Sequence, residues 1–256
     1  MITKFKNFFL LLLLFKALSS CTSSSKLVYL QDANATKTES KSATYEPKLQ
    51  SDDLLSIIIS AENPENTIPF NMPQIQGNYE IGNNQNGIKT YLIDNKGDID
   101  FPVIGKVKLG GLTTREASAK LSSLISEYIK NPGINLRILN FKISVLGEVN
   151  RPGSFSVSSE RVTLLEAISN AGDLTIYGKR NNILIIRENN GVKTYDRVDI
   201  TKSEFVSSSY YYLTQNDVVV VEPNKTRINA SVVGPNASLF LSAVSVLVTI
   251  LVLLIK

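Results

Sequence analysis

Few residues of this chain could carry chemistry, because its 256 residues include no histidine and one cysteine. The lack of histidine removes the commonest general base near neutral pH and the commonest metal ligand. It also excludes Ser-His-Asp and Cys-His nucleophiles and zinc sites built on imidazole. Two carboxylates could still cleave a glycosidic bond. The chain offers two acidic groups for that chemistry: Asp52 with Asp53, and Asp94 with Asp98 and Asp100.

The spacing argues against both acidic groups as catalytic sites. Adjacent residues of an extended strand point to opposite faces, which would separate Asp52 from Asp53. The second group surrounds Asn95-Lys96-Gly97, whose residue types favour a turn, and its spacing does not match a calcium-binding loop. We therefore expect a protein that is not an enzyme and that uses no cofactor and no metal.

The single cysteine, Cys21, follows a segment with the layout of a secretory signal peptide over residues 1–20. Lys4 and Lys6 precede an apolar run over 8–15, and small residues then lead to the cysteine. The sequence Leu18-Ser19-Ser20-Cys21 resembles the lipobox of bacterial lipoproteins. In such proteins the thiol takes a diacylglyceryl group and the chain is cut before the cysteine. An ordinary signal peptide or anchor with an incidental cysteine is the alternative interpretation.

Cleavage before Cys21 would leave 24 basic and 23 acidic residues, a formal charge of about +1. The remaining sequence has no stripe of basic residues that would indicate nucleic acid as a partner. A lipidated Cys21 leaves no thiol pair for a disulfide, and two or three acyl chains would suffice for stable membrane anchoring. Thr22 stands where the inner-membrane retention signal has aspartate. We expect a lipid-anchored outer-membrane protein with most of its chain in the periplasm.

A second membrane element is predicted at the other end, where residues 237–255 are all apolar or small. As a helix they would be about 28 Å long, close to the thickness of about 30 Å of a hydrocarbon core. Ser238, Ser242, Ser245 and Thr249 are spaced so that they share one helix face. The stripe either lets helices pack closely or lines a wet lumen, and both interpretations predict self-association.

Between the two ends, the sequence predicts a tether and two small α+β domains. Residues 21–44 are rich in Ser, Thr, Lys, Asn and Ala, a composition typical of a flexible tether. Strand patterns mixed with short helix patterns then predict one domain over 45–140 and another over 141–224. A linker over 225–236 leads to the terminal helix.

Local patterns predict the elements of each domain. Thr113 with Glu116, and Thr163 with Glu166, have the spacing of capping boxes and predict one helix in each domain. Arg115 is expected to face solvent on the first helix. The predicted strands are 54–59, 90–93, 99–101 and 134–139 in the first domain and 143–149, 183–187, 192–198 and 218–221 in the second. We expect 90–93 and 99–101 to form one hairpin, and 183–187 and 192–198 another.

The stretch from Tyr91 to Gly105, followed by Gly111-Leu112-Thr113 and Glu116, resembles the centre of the export domain of a known family, the polysaccharide export lipoproteins of bacterial outer membranes. A second set resembles the adjoining SLBB domain, a β-grasp module: Val145 to Val149, Pro152-Gly153, Leu164 to Ile168, Ala171 to Asp173, and Asn216 to Pro223. The resemblance covers roughly residues 45–223.

The resemblance implies a ring-shaped homo-oligomer, with an octamer as the expected size, whose terminal helices form a pore for capsular or exopolysaccharide. An inner-membrane co-polymerase, often a tyrosine autokinase, would meet the ring from below. This chain departs from long family members in holding one SLBB-like domain and a uniformly apolar terminal helix. Passage of a hydrated polymer would be passive through a wide polar lumen. The alternative is a periplasmic glycan-binding or scaffolding lipoprotein that does not conduct.

Overall fold

The structure is a computed structural model that describes residues 27–33, 45–71, 90–189, 191–232 and 237–254. In the first domain it gives β1 (Leu54–Ser60), a short 3-10 helix (Pro64–Thr67), β2 (Thr90–Leu92), β3 (Asp98–Phe101), β4 (Gly105–Lys108), α1 (Thr114–Ile125) and β5 (Gly133–Ile138). These elements confirm the mixed α+β class expected for this half of the chain.

β1 is the central strand of a three-stranded antiparallel sheet with the order β2-β1-β5. Leu55 of β1 lies opposite Tyr91 of β2 and Ile138 of β5, and it is fully buried. α1 packs against β5 and buries Ala117, Leu121 and Ile125, which are spaced four residues apart and therefore share one face. The sheet and α1 thus enclose one hydrophobic core.

The hairpin predicted between 90–93 and 99–101 is wrong. β3 pairs with β4, with Asp98 opposite Lys108, whereas β2 pairs with β1. The physical reason lies in the turn between β2 and β3. Asp94 Oδ1 accepts hydrogen bonds from the backbone amides of Lys96 and Asp98, each at 2.8 Å, so the side chain closes a tight turn that takes the chain out of the first sheet.

The second domain gives β6 (Lys142–Gly147), β7 (Gly153–Ser156), β8 (Val162–Thr163), α2 (Leu164–Asn170), β9 (Gly178–Asn189), β10 (Val192–Val198), a 3-10 helix (Ser203–Ser207), β11 (Tyr212–Leu213) and β12 (Val218–Pro223). Five strands form a sheet with the order β10-β9-β12-β6-β7, and β11 pairs with β8. β12 runs parallel to β6 and antiparallel to β9. The hairpin predicted from 183–187 and 192–198 is confirmed by the pairing of β9 with β10.

The central sheet of the second domain requires glycine where β6 ends. Gly147 has φ of +91°, and a Cβ added there would lie 2.1 Å from the carbonyl oxygen of Val221 on β12. A residue with a side chain would therefore push β6 away from β12. On one face of this sheet, α2 and the inward side chains of β6, β9 and β12 form a separate hydrophobic core.

A short N-terminal segment, residues 27–33, lies against the second domain. The amide of Leu30 donates to the Ile200 carbonyl at 3.2 Å, and the amide of Gln31 donates to the Thr201 carbonyl at 2.7 Å. Asp32 Oδ1 accepts from the amide of Ser203 at 2.6 Å. Part of the segment that the sequence predicts as a flexible tether is therefore held by the second domain.

Two helices follow β12: α3 (Lys225–Val232), in the region predicted as a linker, and α4 (Ala237–Leu254), in the region predicted to cross a membrane. A search of the described residues found no helix with the length and apolar character that a membrane span requires, so the predicted span over 237–255 is not supported.

Candidate functional site

The structure separates the acidic residues that the sequence brings together. Asp52 is exposed, whereas the Asp53 side chain is fully buried. The expected extended strand is not the cause, because Asp52 stands in a turn with φ of +68° and β1 begins only at Leu54. Asp53 Oδ2 accepts from the amide of Gln50 at 2.8 Å, and Asp53 Oδ1 has no hydrogen-bond partner among the described residues. Burial raises the pKa of Asp53 to about 6. A carboxyl enclosed in this way has no surface on which a substrate could bind.

The Asp94 group is a structural turn. Hydrogen bonds from the backbone amides of Asp98 and Lys96 hold the pKa of Asp94 below its usual value, because they stabilise the carboxylate. Within the described ranges, no three acidic, histidine or cysteine residues are grouped so that they could hold a metal ion.

The sequence predicts a lipidation site at Cys21 and a stripe of hydroxyl side chains on the terminal helix, and the structure describes only part of these residues. Cys21 lies outside the described residues, as does the side chain of Ser238. On α4, the hydroxyls of Ser242, Ser245 and Thr249 donate to the carbonyls of Leu239, Ser242 and Ser245 at 2.8–2.9 Å. Each hydroxyl is thus bonded within its own helix, as is common for Ser and Thr in helices. Their role in helix packing or in lining a lumen stays a prediction.

α4 exposes large apolar side chains along its length. Leu239 is 67% exposed near its start and Leu253 is 70% exposed near its end. The described residues between them include Val244, Val246, Leu247, Val248 and Ile250, which are each about half exposed or more. An apolar surface of this kind marks a contact with lipid or with other protein chains.

The two domains meet through an aromatic contact that the sequence did not reveal. The Tyr45 ring stacks on the Tyr212 ring with centroids 5.1 Å apart, and the Tyr45 hydroxyl donates to the Leu213 carbonyl at 3.2 Å. Burial raises the pKa of Tyr45 to about 12, so its hydroxyl stays protonated at physiological pH. The run of three tyrosines at 210–212 indicates an aromatic contact, but the sequence does not show that its partner is Tyr45, which lies more than 160 residues away.

Polar bonds complete this junction. Gln215 is buried, and it donates through Nε2 to the Asn140 carbonyl and accepts through Oε1 from the Lys142 amide, each at 2.8 Å. Asn140 accepts from the Leu54 amide and donates to the Asp52 carbonyl, also at 2.8 Å. The residue that connects the domains is therefore bonded to both of them, which fixes the start of β1 relative to β6.

A buried ion pair supports the tyrosine side of the junction. Asp217 is fully buried, and Arg187 on β9 contacts it through Nε at 3.0 and 3.1 Å and through Nη2 at 2.7 Å. Arg187 Nη2 also donates to the Tyr212 carbonyl at 3.0 Å. Burial by itself would lower the pKa of the Arg187 guanidinium, but the hydrogen bonds and charge of Asp217, together with the nearby tyrosines, leave that pKa raised. Asp217 directly precedes the predicted strand 218–221, and the sequence around it gives no sign of this role.

An open cleft lies between the domains. Its volume is about 420 Å³, and we call it the interdomain cleft. The side of the first domain is formed by the start of α1 and by β5, and the second domain contributes Glu160 from the segment before β8. Its polar lining residues are Thr114, Arg115, Ser118, Asn135, Arg137 and Glu160. The cleft therefore carries two cationic side chains and several hydrogen-bonding groups.

Comparison with known protein families defines the class of the protein. Residues 41–139 match the family of polysaccharide biosynthesis/export proteins, and residues 141–221 match the SLBB domain. These two ranges correspond to the two structural domains. The chain therefore carries a polysaccharide biosynthesis/export domain followed by an SLBB domain, as the motifs along its body predicted.

Two curated relatives carry the same printed name, EPS I polysaccharide export outer membrane protein EpsA. The chain is 29% identical over 196 residues to the one from Ralstonia solanacearum and 28% identical over 196 residues to the one from Ralstonia nicotianae. The similarity covers 73% of this chain and 51% of each relative, so the chain spans about half the length of the curated relatives it matches. Their names support the expected location of this chain at the outer membrane.

Proposed function

We propose that the protein is an outer-membrane lipoprotein that forms an oligomeric conduit for the export of capsular or exopolysaccharide. The observation that carries the proposal is the domain order. An export domain over 41–139 is followed directly by an SLBB domain over 141–221, in a chain similar to proteins named for polysaccharide export. The bonded junction through Asn140 and Gln215 supports an arrangement in which both domains act as one wall segment.

The proposed lipid at Cys21 would hold the second domain close to the membrane. Residues 27–33 are bonded to that domain, and five residues, 22–26, separate Cys21 from Leu27. Six Cα–Cα steps reach at most about 20 Å, so the anchor and the second domain cannot be far apart. α3 and α4 follow β12 of the same domain along the chain.

α4 is the proposed site of contact with lipid and with other copies. Its exposed apolar side chains would be unfavourable in water and are favourable in lipid or in a helix interface. Ser242, Ser245 and Thr249 are small enough for close helix approach, and a ring of such helices could instead turn them to a lumen. Transport through the ring is passive and needs no catalytic group. The homo-oligomer, octameric by resemblance, receives polymer from an inner-membrane co-polymerase or tyrosine autokinase.

The mass of the assembly tests this proposal. We expect the full-length chain, extracted in mild detergent, to give one large discrete oligomer by light scattering, and a variant that ends at Pro235 to show whether α4 holds it together. Loss of the oligomer on truncation places assembly in α4, and its survival places assembly in the two domains. A full-length chain that is monomeric would contradict the conduit and favour a periplasmic glycan-binding or scaffolding lipoprotein.

A cellular experiment tests export itself. Deletion of the gene should abolish polysaccharide at the cell surface, and the full chain should restore it. Cys21→Ser should fail to restore export and should release the protein from membranes, whereas Thr22→Ser should behave as the natural protein does. Normal surface polysaccharide in the deletion strain would refute the proposed function.

A further inference from the structure

The interdomain cleft has the charge and the hydrogen-bonding groups that an acidic sugar chain requires. Arg115 stands in the first turn of α1 and Arg137 on β5, and both line the cleft. Guanidinium groups bind carboxylates through two parallel hydrogen bonds, which makes arginine the preferred cation for this ligand. Thr114, Ser118 and Asn135 add side chains that can bond sugar hydroxyls.

The two arginines differ in how far they are already engaged. Arg115 Nη2 lies 3.1 Å from Glu46 Oε1, but the Arg115 side chain remains 80% exposed. Arg137 is exposed, and it forms no ion pair with any of the residues that the structure describes. Its charge is therefore available to an incoming anion, and the Arg115 charge is only partly balanced.

The free edge of β5 adds backbone groups to the same cleft. Among the strands that the structure describes, β5 is the outermost of its sheet, and the amide of Leu139 donates to the Leu54 carbonyl of β1. Backbone groups alternate in direction along an antiparallel strand, so Ile134 and Leu136 direct their amides and carbonyls away from β1. Both residues line the cleft. A polymer lying along β5 would meet guanidinium groups, hydroxyls and free backbone groups in one groove.

We propose that the interdomain cleft binds an acidic stretch of polysaccharide, with Arg115 and Arg137 on sugar carboxylates and with Glu160 accepting from sugar hydroxyls. The proposal rests on the proposed function in export, and it adds a substrate class and a contact site. A peptide strand added to the edge of β5 is the competing occupant. The lining favours the glycan, because its exposed side chains are all charged or polar, whereas the apolar side chains of Ile134 and Leu136 are partly or fully buried.

The test measures binding of tetragalacturonate, an acidic tetrasaccharide, to the full chain in mild detergent by isothermal titration calorimetry. Maltotetraose, a neutral chain of the same length, is the ligand control. We expect tetragalacturonate to bind more tightly, and added salt to weaken it because the charges are exposed. Arg137→Gln and Arg115→Gln should each weaken binding by about fivefold or more, as expected for loss of a charge-assisted contact. Lys130→Gln, which removes an exposed cation outside the cleft, should leave binding unchanged.

Arg137→Gln is the cleaner variant because no described ion pair is lost with it, and an unchanged melting temperature will show that the fold is intact. Equal affinity of Arg137→Gln and Lys130→Gln, or equal binding of the acidic and neutral chains, would overturn the proposal. So would a photocrosslinker at Ser118 that captures a polypeptide in cells instead of polysaccharide. If deletion abolishes export while tetragalacturonate does not bind, the cleft inference fails and the proposed function stands. If tetragalacturonate binds while deletion leaves export normal, the proposed function fails on its own.

Discussion

Each of the two domains buries one aspartate completely, but only one of the two carboxylates is paired with a cation among the described residues. Asp53 precedes β1 of the export domain and Asp217 precedes β12 of the SLBB domain, and neither side chain is exposed. Asp217 is held by Arg187 and by the amide and hydroxyl of Thr214 at 2.7–2.8 Å. Asp53 has one amide bond and an oxygen without a described partner. Burial alone therefore does not decide whether a carboxylate stabilises the fold, because its hydrogen-bond and charge partners decide it.

The largest expected effect is on the paired aspartate. Asp217→Ala leaves the Arg187 guanidinium, with a side chain 16% exposed, without its carboxylate, and it removes both Thr214 bonds. We expect the free energy of unfolding to fall by about 3 to 5 kcal/mol. Urea unfolding of the full chain in detergent measures this loss.

Glu188→Ala is the matched control for that prediction, because Glu188 pairs with Lys193 at 3.6 Å on the surface, where both side chains are more than half exposed. Its cost should stay below about 1 kcal/mol. A double variant, Arg187→Met with Asp217→Leu, should recover much of the stability that Asp217→Ala loses, because no buried charge is then left alone. Equal costs for Asp217→Ala and Glu188→Ala would refute the importance of the buried pair.

Asp53, the aspartate without a described cationic partner, should make the stability of the fold depend on pH. Burial raises the pKa of Asp53 to about 6, above its unfolded value of 3.8, so ionisation favours the unfolded state. This penalty is absent below the unfolded pKa, grows as the pH rises, and is complete above the folded pKa. Between pH 5 and pH 7.5 it should lower the free energy of unfolding by about 1 to 2 kcal/mol.

Asp53→Asn should remove that part of the pH dependence, and urea unfolding of both proteins at the two pH values measures the difference. Asp98→Asn, at a partly exposed carboxyl of the same domain, is the control and should leave the slope close to that of the natural chain. If the stability difference between Asp53→Asn and the natural protein is the same at pH 5 and pH 7.5, the Asp53 carboxyl does not titrate in this range.

The contrast between the aspartates also shows what the sequence could predict. Both capping boxes are local, since Thr113 and Glu116, or Thr163 and Glu166, are three residues apart, and both helices begin where these pairs predict. The partner of Asp217 is 30 residues away on another strand, and no local pattern indicates which cation will reach it. The wrong hairpin has the same origin, because β2 takes its partner from β1 earlier in the chain.

The candidate sites also divide into those set by local sequence and those set by contacts between distant residues. The chemistry expected at Cys21 and along α4 follows from local composition, and it could be proposed from the sequence alone. The interdomain cleft combines α1, β5 and the segment at Glu160, and the junction combines Tyr45 with Tyr212. These groups meet only when two domains have folded and packed. Arg115 and Arg137 belong to the same domain, and they come to line one cleft because α1 packs against β5, a contact that no local pattern in the sequence indicates.

The two capping boxes offer the smallest and sharpest comparison between the domains. Thr113→Ala removes the acceptor of the Glu116 amide at 3.2 Å, and Thr163→Ala removes that of the Glu166 amide at 3.1 Å. Each substitution should lower the free energy of unfolding by about 1 kcal/mol.

Thr163→Ala should cost more than Thr113→Ala, because the Thr163 hydroxyl also donates to Glu166 Oε2 at 3.0 Å and Thr163 stands in β8, opposite Tyr212 of the junction. Thr→Ser at either position keeps the acceptor and should cost less than half as much. An equal loss for Thr163→Ala and Thr163→Ser would show that the methyl group, and not the cap, stabilises the start of α2.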